Sequence, residues 1–402
     1  MNSSASSPAG HSSSSSWSDY VDPRKVGWLN LLLVLVPVVV ALEWMHASHA
    51  LIFVFSCAAI LPLAGLMGTA TEHLAARAGA GVGGLLNASF GNAAELIIAL
   101  FALFSGHHEL VKASLTGSII GNILLVMGAS LLAGGLKYST QRFNKTAVGS
   151  GSTLAVLAAF GLLMPAIFHN LYGKGDANLD HKLSFATSVV LISGYLMSLL
   201  FSLVTHKDLF DVIDEESEGA DHVAWSVTKS IVVLLIATIG VAWMAEILVG
   251  AVDKAGEQLG MTKIFMGVIV VAIVGNAAEH STAILMAMKN KVDLALNIAV
   301  GSTLQIALFV APVLVFVSAF SSHPLDLWFT TMEVAAVMIA VTIAWLISHD
   351  GESNWFEGAM LLMVYLILAI AFFFVPKYAD SEGGEAPASA PAATATPGRA
   401  HR

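Results

Sequence analysis

Charged residues are scarce in this chain of 402 residues. They make up 11% of it, while hydrophobic residues make up 56% and the formal net charge is −10. Soluble proteins carry about a quarter charged residues, so this composition indicates that most of the chain is solvated by lipid. No basic stretch of any length is present, which argues against nucleic acid as a partner. The chain is therefore predicted to be an integral membrane protein embedded in the lipid bilayer.

Cysteine is nearly absent too. Cys57 is the single one, and it lies inside an apolar run. That excludes a disulfide framework and a cysteine metal cluster. The sequence also lacks a His-Glu-x-x-His helix and a Ser or Cys nucleophile paired with a base. An intramembrane hydrolase is therefore disfavoured, and we expect no enzymatic activity and no cofactor.

Long apolar runs predict an all-α fold with about eleven transmembrane helices, because backbone groups in hydrocarbon must be satisfied within their own segment. The predicted spans are 27–45, 49–76, 80–105, 108–135, 146–168, 179–205, 225–255, 262–288, 292–320, 324–348 and 354–376. The first span is predicted to stand apart from two repeats of five helices each.

The predicted organisation follows from these spans and from the polar segments around them. It comprises a disordered Ser-rich N terminus (1–22), a first transmembrane helix (23–48), a first five-helix repeat (49–205), an acidic cytoplasmic linker (206–224), a second repeat (225–376) and a disordered tail (377–402). Seven carboxylates fall between His206 and Asp221. They indicate a solvated linker or, alternatively, a weak cation-attracting surface.

The distribution of Lys and Arg predicts a cytoplasmic N terminus. Nine of these residues fall on the side of Arg24 and Lys25 and six on the other, and the positive side faces the cytoplasm. The short tails favour a bacterial plasma (inner) membrane, with a vacuolar or other internal membrane as the alternative. A homo-oligomer is compatible with the sequence.

An internal duplication is the central observation. Gly91-Asn92-Ala93-Ala94-Glu95 repeats identically as Gly275–Glu279, an offset of 184 residues, and at the same offset Gly117-Ser118 falls on Gly301-Ser302. Each unit has an odd number of spans, so the two copies have opposite orientations across the membrane. Inverted repeats of this kind are typical of transporters, whose site lies near the bilayer midplane where the repeats meet.

Glu95 and Glu279 are the principal candidate site residues. Each lies in the middle of an otherwise apolar span, where a carboxylate is costly unless it has a partner. Asn92 and Asn276 each precede the glutamate by three residues, so amide and carboxylate are predicted to share a helix face. Two carboxylates, two amides and spare backbone oxygens would form a site that prefers hard cations such as Ca²⁺.

A second set of polar residues lies on neighbouring spans. Ser118 and Asn122 are four residues apart in the fourth span, and Ser302 and Gln305 are three apart in the ninth. They would either complete the cavity or act as interhelical hydrogen bonds. His280, next to Glu279, would support the site or relay protons.

Glu72 and Glu257 lie near the ends of the second and seventh spans. They are either solvated helix ends or carboxylates that pass ions to the site from opposite mouths. A dry carboxylate pair would also explain proton coupling, because the pair binds protons readily while a divalent cation needs both groups ionised.

The motifs Gly83–Ile97 and Val274–His280, with Gly301–Leu308, resemble those of the calcium/proton exchanger (CAX) family of the calcium/cation antiporter superfamily. The resemblance covers roughly residues 27–376. It implies an eleven-span fold and Ca²⁺ transport driven by a proton gradient. It also implies that Glu95 and Glu279 bind both Ca²⁺ and H⁺, and that the site is lined by Asn92, Asn276, Ser118, Ser302 and Gln305.

Two alternatives of function stay open. An exchanger with the same fold would use sodium as the coupling ion or carry another divalent cation, and a passive cation channel would ignore an imposed proton gradient. The duplicated glutamate pair favours proton coupling over both.

Overall fold

A computed structural model describes residues 28–173, 177–206, 225–321 and 324–376. The predicted disordered N terminus (1–22), the acidic linker beyond residue 206 and the C-terminal tail (377–402) lie outside these residues. In the described residues the chain is almost entirely helical, as predicted. A single short ribbon pairs strand β1 (Gln141–Arg142) with strand β2 (Glu352–Ser353) in antiparallel register.

The helices, in chain order, are α1 (Leu35–Trp44, after a 3-10 segment Trp28–Val34), α2 (His49–Ala78), α3 (Ala80–Phe90), α4 (Ala93–Phe104), α5 (His108–Gly135), α6 (Lys145–Phe168), α7 (Ala177–Leu200), α8 (Val227–Leu259), α9 (Lys263–Met288), α10 (Val292–Ser318), α11 (Thr331–Ile347) and α12 (Trp355–Phe373). Because α3 and α4 follow each other across one short break, they count as one span, which gives eleven spans in the residues that the structure describes. In the described part of the chain, eight helices are long and apolar enough to cross a membrane and three apolar helices are shorter.

Polar caps explain where several helices begin. The hydroxyl of Thr262 accepts the amide of Phe265 at 3.1 Å at the start of α9, and the side chain of Asn354 caps α12. Thr330 and Glu333 form a capping box, in which each side chain bonds the other residue's backbone amide. The predicted span at 324–348 is therefore too long at its start, because the capping box fixes the first turn of α11 at Thr331.

The duplication is visible in the order of the helices. Helices α2–α7 form the first unit and α8–α12 the second, related by inversion, and the first helix of each, α2 and α8, packs along the other. The π-helical segments Gly121–Val126 in α5 and Ile306–Val310 in α10 end 184 residues apart. Segments of this type inside α-helices are frequent at functional sites. The two copies thus share a local backbone irregularity as well as a motif.

Glycines allow the helices that carry the motifs to approach closely. A Cβ built on Gly117 of α5 would lie 2.1 Å from the carbonyl oxygen of Val268 in α9, and one built on Gly267 would lie 2.5 Å from the Cβ of Ala113. Helix α12 crosses α5 in the same way, at Gly358. Small residues at such crossings let backbones pack directly in membranes, where the hydrophobic effect between helices is absent.

Gly358→Ala tests this packing. The new methyl group would lie 2.3 Å from the backbone nitrogen of Leu132, so the helices must separate, and we expect a loss of stability of about 1–3 kcal/mol. Thermal unfolding of the purified protein in detergent measures it. Gly250→Ala is the control, because no atom lies within 4 Å of a Cβ there. Equal melting temperatures for the two variants would contradict the close α5–α12 crossing.

Candidate cation site

The motif helix of the first repeat is broken where that of the second is continuous. Helix α3 ends at Phe90 and α4 begins at Ala93, so Asn92 occupies the cap position of α4 without capping it. The prediction that Asn92 and Glu95 share a helix face is therefore wrong, because Asn92 lies outside the helix. Asn276 and Glu279 lie on the uninterrupted helix α9, as predicted. Gly91 itself has right-handed helical backbone angles (φ −53°, ψ −50°).

Glu95 receives donors from both repeats. Its Oε1 atom accepts hydrogen bonds from the hydroxyl of Ser118 on α5 and from the amide of Asn276 on α9. The Asn276 amide also donates to the Ser118 hydroxyl at 3.1 Å. All three side chains are buried, so this is a dry cluster in which a carboxylate is held by two polar groups.

A second cluster surrounds the other motif. The Ser302 hydroxyl donates to Oδ1 of Asn92 at 2.9 Å, and the Asn92 amide donates to Oε1 of Gln305 at 2.6 Å. Ser302 also lies 3.4 Å from Oδ1 of Asn276 and within hydrogen-bonding reach of Glu279. A hydroxyl has one proton, so Ser302 satisfies one of these acceptors at a time.

Each glutamate lies against the motif glycine of the other repeat. A Cβ on Gly275 would lie 2.7 Å from Cγ of Glu95, and a Cβ on Gly91 would lie 3.2 Å from Oε1 of Glu279. The inverted repeats therefore bring the two motifs face to face, and the predicted ligands Glu95, Glu279, Asn92, Asn276, Ser118, Ser302 and Gln305 form one continuous group.

One carboxylate oxygen of each glutamate has no partner. The buried Oε2 atoms of Glu95 and Glu279 accept no hydrogen bond from the described residues. The two carboxylates also repel each other electrostatically. A small cavity adjoins Glu95 and is lined by Ser114, Ser118 and apolar residues of α9 and α10. The arrangement thus offers two buried carboxylate oxygens that accept no hydrogen bond from the described residues.

The two predicted access residues differ. The Glu72 carboxylate on α2 is close enough to Glu279 to repel it, and its side chain is exposed. Glu257 is exposed in the last turn of α8, where its carbonyl oxygen accepts the amide of Gly260. Glu72 therefore adjoins the site, whereas Glu257 belongs to a helix end.

Asn122 connects His280 to the site. The Nε2 atom of His280 lies 3.2 Å from Oδ1 of Asn122, whose amide donates to Ser302 at 3.0 Å. An amide oxygen only accepts, so Nε2 carries the proton in this contact. Asn122 belongs to the second set of polar residues in the sequence but is not among the predicted ligands; its place on the π segment Gly121–Val126 brings it to Ser302.

Sequence reasoning gave no role to Glu333. The side chain is buried, closes the capping box with Thr330 and accepts from the Thr116 hydroxyl at 3.3 Å. Near it, Lys112 forms a salt bridge with Asp326 at 3.0 Å. The pattern Thr-x-x-Glu at Thr330–Glu333 is typical of a capping box and indicates a structural role for Glu333.

The oxygen chemistry suits a hard cation. In the part of the chain that the structure describes, no group of three or more His, Cys, Asp or Glu side chains is placed to hold a metal. Carboxylate, amide and hydroxyl oxygens are the ligands that Ca²⁺ accepts with flexible geometry. A soft metal would prefer thiolate or several imidazoles.

Gly275→Ala tests the contact between motifs. The added methyl group would overlap Cγ of Glu95, so the carboxylate must leave its Ser118 and Asn276 donors. We expect cation transport into proteoliposomes to fall by about tenfold or more, since a hydrogen bond to a charged group contributes about 1.5–3 kcal/mol. Gly194→Ala is the control, because its Cβ would make an ordinary 3.5 Å contact. Full transport by Gly275→Ala would show that Glu95 does not depend on this packing.

Known proteins resemble this chain along most of its length. Residues 48–204 and 229–374 match the family model described as "Sodium/calcium exchanger protein". A Ca²⁺/H⁺ antiporter of Aphanothece halophytica is 46% identical over 358 residues, covering 86% of this chain and 96% of the relative. The Ca²⁺/H⁺ antiporter ChaA of Bacillus subtilis is 48% identical over 342 residues, covering 85% and 97%. The solved structure of native YfkE has a TM-score of 0.75 at 44% identity, covering 86% of this chain and 100% of that one. The resemblance predicted from the motifs is confirmed, and the chain belongs to the sodium/calcium exchanger protein family.

Proposed function

We propose that this protein is a secondary active antiporter that exchanges Ca²⁺ for H⁺ across a membrane. The relatives that carry this activity in their names match most of the chain. The observation that carries the proposal is the pair of buried carboxylate oxygens, Oε2 of Glu95 and of Glu279, that have no hydrogen-bond partner among the described residues.

Such oxygens need a cation or a proton. An ionised carboxylate buried without a partner costs several kcal/mol. Protonation removes the charge, and a divalent cation between the two groups neutralises both. The neighbouring amide and hydroxyl oxygens would complete the shell of six to eight oxygens that Ca²⁺ prefers. Protons and Ca²⁺ thus compete for the same atoms.

Competition becomes exchange if the site opens to one side at a time. Ca²⁺ requires both carboxylates ionised, so its binding expels protons, and protons arriving from the other side expel Ca²⁺. Alternating access by movement of one repeat against the other supplies this exposure in transporters with inverted repeats. Glu95 and Glu279 are in this proposal the ligands shared by Ca²⁺ and H⁺.

The surrounding residues have supporting roles. Asn92, Asn276, Ser118, Ser302 and Gln305 line the cation site. His280 acts on it through Asn122, as a support or a proton relay. Glu72, beside Glu279, guides cations towards the site, whereas Glu257 is a solvated residue at the end of α8 and is given no such role.

The setting of the protein is also proposed. The Lys and Arg distribution favours a cytoplasmic N terminus, and a bacterial plasma membrane is favoured over a vacuolar or other internal one. The protein would transport Ca²⁺ and H⁺ as substrates and need no cofactor. A homo-oligomer is compatible with this arrangement.

Ca²⁺ uptake into proteoliposomes with an acid interior tests the exchange. We expect the wild type to accumulate Ca²⁺ and a protonophore to abolish the accumulation. Glu95→Gln and Glu279→Gln should each abolish it, because an amide cannot exchange a proton for a cation. Glu43→Gln is the matched control, since Glu43 is an exposed carboxylate of α1 without a duplicate.

Three results would contradict the proposal. Uptake driven by a sodium gradient and indifferent to pH would indicate the sodium-coupled alternative. Uptake that ignores every imposed gradient would indicate a channel. Uptake that survives either glutamine substitution would show that the glutamate pair is not the shared site.

A further inference from the structure

The two glutamates are not held alike, although their motifs are identical. Asn276 donates its amide to Glu95, the glutamate of the other repeat. Its counterpart Asn92 should by symmetry donate to Glu279. Instead the Asn92 amide donates to Oε1 of Gln305 at 2.6 Å. One glutamate has its asparagine donor and the other is without it.

One difference between the repeats lies at the position of Gln305. The residue 184 before Gln305 is Gly121, which has no side chain. Asn276 therefore meets no competing amide oxygen at the equivalent place and remains on Glu95. Gln305 ends the α-helical part of α10, directly before the π segment Ile306–Val310, and Gly121 begins the matching π segment of α5.

The side-chain oxygens of Glu279 and Gln305 both lie close to Gly91. A Cβ built on Gly91, the residue before Asn92, would be 3.2 Å from Oε1 of Glu279 and 3.3 Å from Oε1 of Gln305. The Glu279 and Gln305 oxygens thus both lie beside Gly91, and the amide of the next residue, Asn92, bonds the Gln305 oxygen.

An amide bonded to a carboxylate competes with a cation for the same lone pairs. Hydrogen bonds to a charged group contribute about 1.5–3 kcal/mol, so a cation must displace a donor of that strength. A carboxylate that accepts no hydrogen bond from an amide keeps its lone pairs available and is therefore the better cation ligand. Glu279 accepts no hydrogen bond from Asn92, is only partly buried and lies near the exposed Glu72. Glu95 is buried and accepts two hydrogen bonds, from Ser118 and Asn276.

We propose that Gln305 is a positioning residue that keeps the Asn92 amide off Glu279 and so leaves Glu279 as the more available Ca²⁺ ligand of the pair. The inference rests on the proposed function, since it assigns unequal roles to the two shared glutamates. It goes beyond a lining role for Gln305, because Gln305 acts here through Asn92 rather than by touching the ion. The two repeats, each with the same motif, then provide two glutamates that differ in how readily they bind Ca²⁺; each glutamate with its neighbouring asparagine is called a half-site.

A double-mutant cycle tests the inference. Equilibrium Ca²⁺ binding is measured by isothermal titration on purified wild type, Gln305→Met, Asn92→Ala and the double variant at one pH. We expect Gln305→Met to raise the Kd about tenfold, the effect of one hydrogen bond to a charged group. In the Asn92→Ala background the same substitution should change the Kd by less than about twofold, because no amide is left to misdirect.

Transport kinetics and a control variant complete the test. Gln305→Met should raise the KM for Ca²⁺ while the maximal rate changes by less than about twofold, since binding rather than turnover is affected. Thr303→Val is the control for damage to α10, because the Thr303 hydroxyl bonds only the carbonyl of Ala299 in its own helix; its Kd should equal that of the wild type.

Two outcomes would overturn the inference. A tenfold loss in both backgrounds would mean that Gln305 touches the ion itself. An unchanged Kd in Gln305→Met would mean that Asn92 does not compete for Glu279. Both outcomes leave the proposed function intact, whereas a wild type that binds no Ca²⁺ would contradict the proposed function first.

Discussion

The cost of placing two carboxylates in the middle of a membrane governs the rest of this structure. Glu95 and Glu279 lie on apolar helices of a membrane protein, and each ionised carboxylate would be unstable there without partners. Amide and hydroxyl groups from both repeats donate hydrogen bonds near the carboxylates, and closely packed backbones surround them. Glu95 is bonded by Ser118 of its own repeat and Asn276 of the other. One oxygen of each carboxylate still accepts no hydrogen bond from the described residues, and a transported cation or proton would neutralise it.

The inverted duplication supplies both halves of such a site from one short motif. One motif, used twice in opposite orientations, supplies a carboxylate, an amide and a glycine from each side. The glycine of each copy leaves room for the glutamate of the other. Further glycines, such as Gly117 beside Val268, let the supporting helices cross at backbone distance. Packing and chemistry therefore depend on the same short motif, which explains why it recurs unaltered.

Much of the fold could be read from the sequence because membrane constraints are strict. Apolar runs must be helices, and eleven of the predicted spans are present. The identical motifs predicted that the two repeats bring Glu95 and Glu279 together, and the structure packs each glutamate against the motif glycine of the other repeat; their role as cation ligands stays a prediction. The boundaries of α11 and the break at Gly91-Asn92 were missed, because caps and helix breaks depend on local side-chain bonds and on tertiary packing that an apolar run does not reveal.

The inequality between the half-sites could not be predicted from the motifs. They are identical in the two repeats. The difference involves Gln305, which lies outside the motifs and bonds Asn92 in the folded structure, while the residue at the matching position of the other repeat is Gly121. Likewise, Asn122 reaches Ser302 and His280 from a π segment whose position the polar pattern does not show. The hydrogen-bond partner of a buried amide depends on tertiary packing, so it could not be predicted from the sequence pattern.

Proton release on Ca²⁺ binding tests the central claim most directly. Ca²⁺ is added to the purified protein in weak buffer and the pH is followed with an indicator dye. If Glu95 and Glu279 are shared by Ca²⁺ and protons, the wild type releases protons as it binds Ca²⁺, and a variant with both glutamates changed to glutamine releases none. Ca²⁺ binding by the wild type without proton release would contradict the shared site.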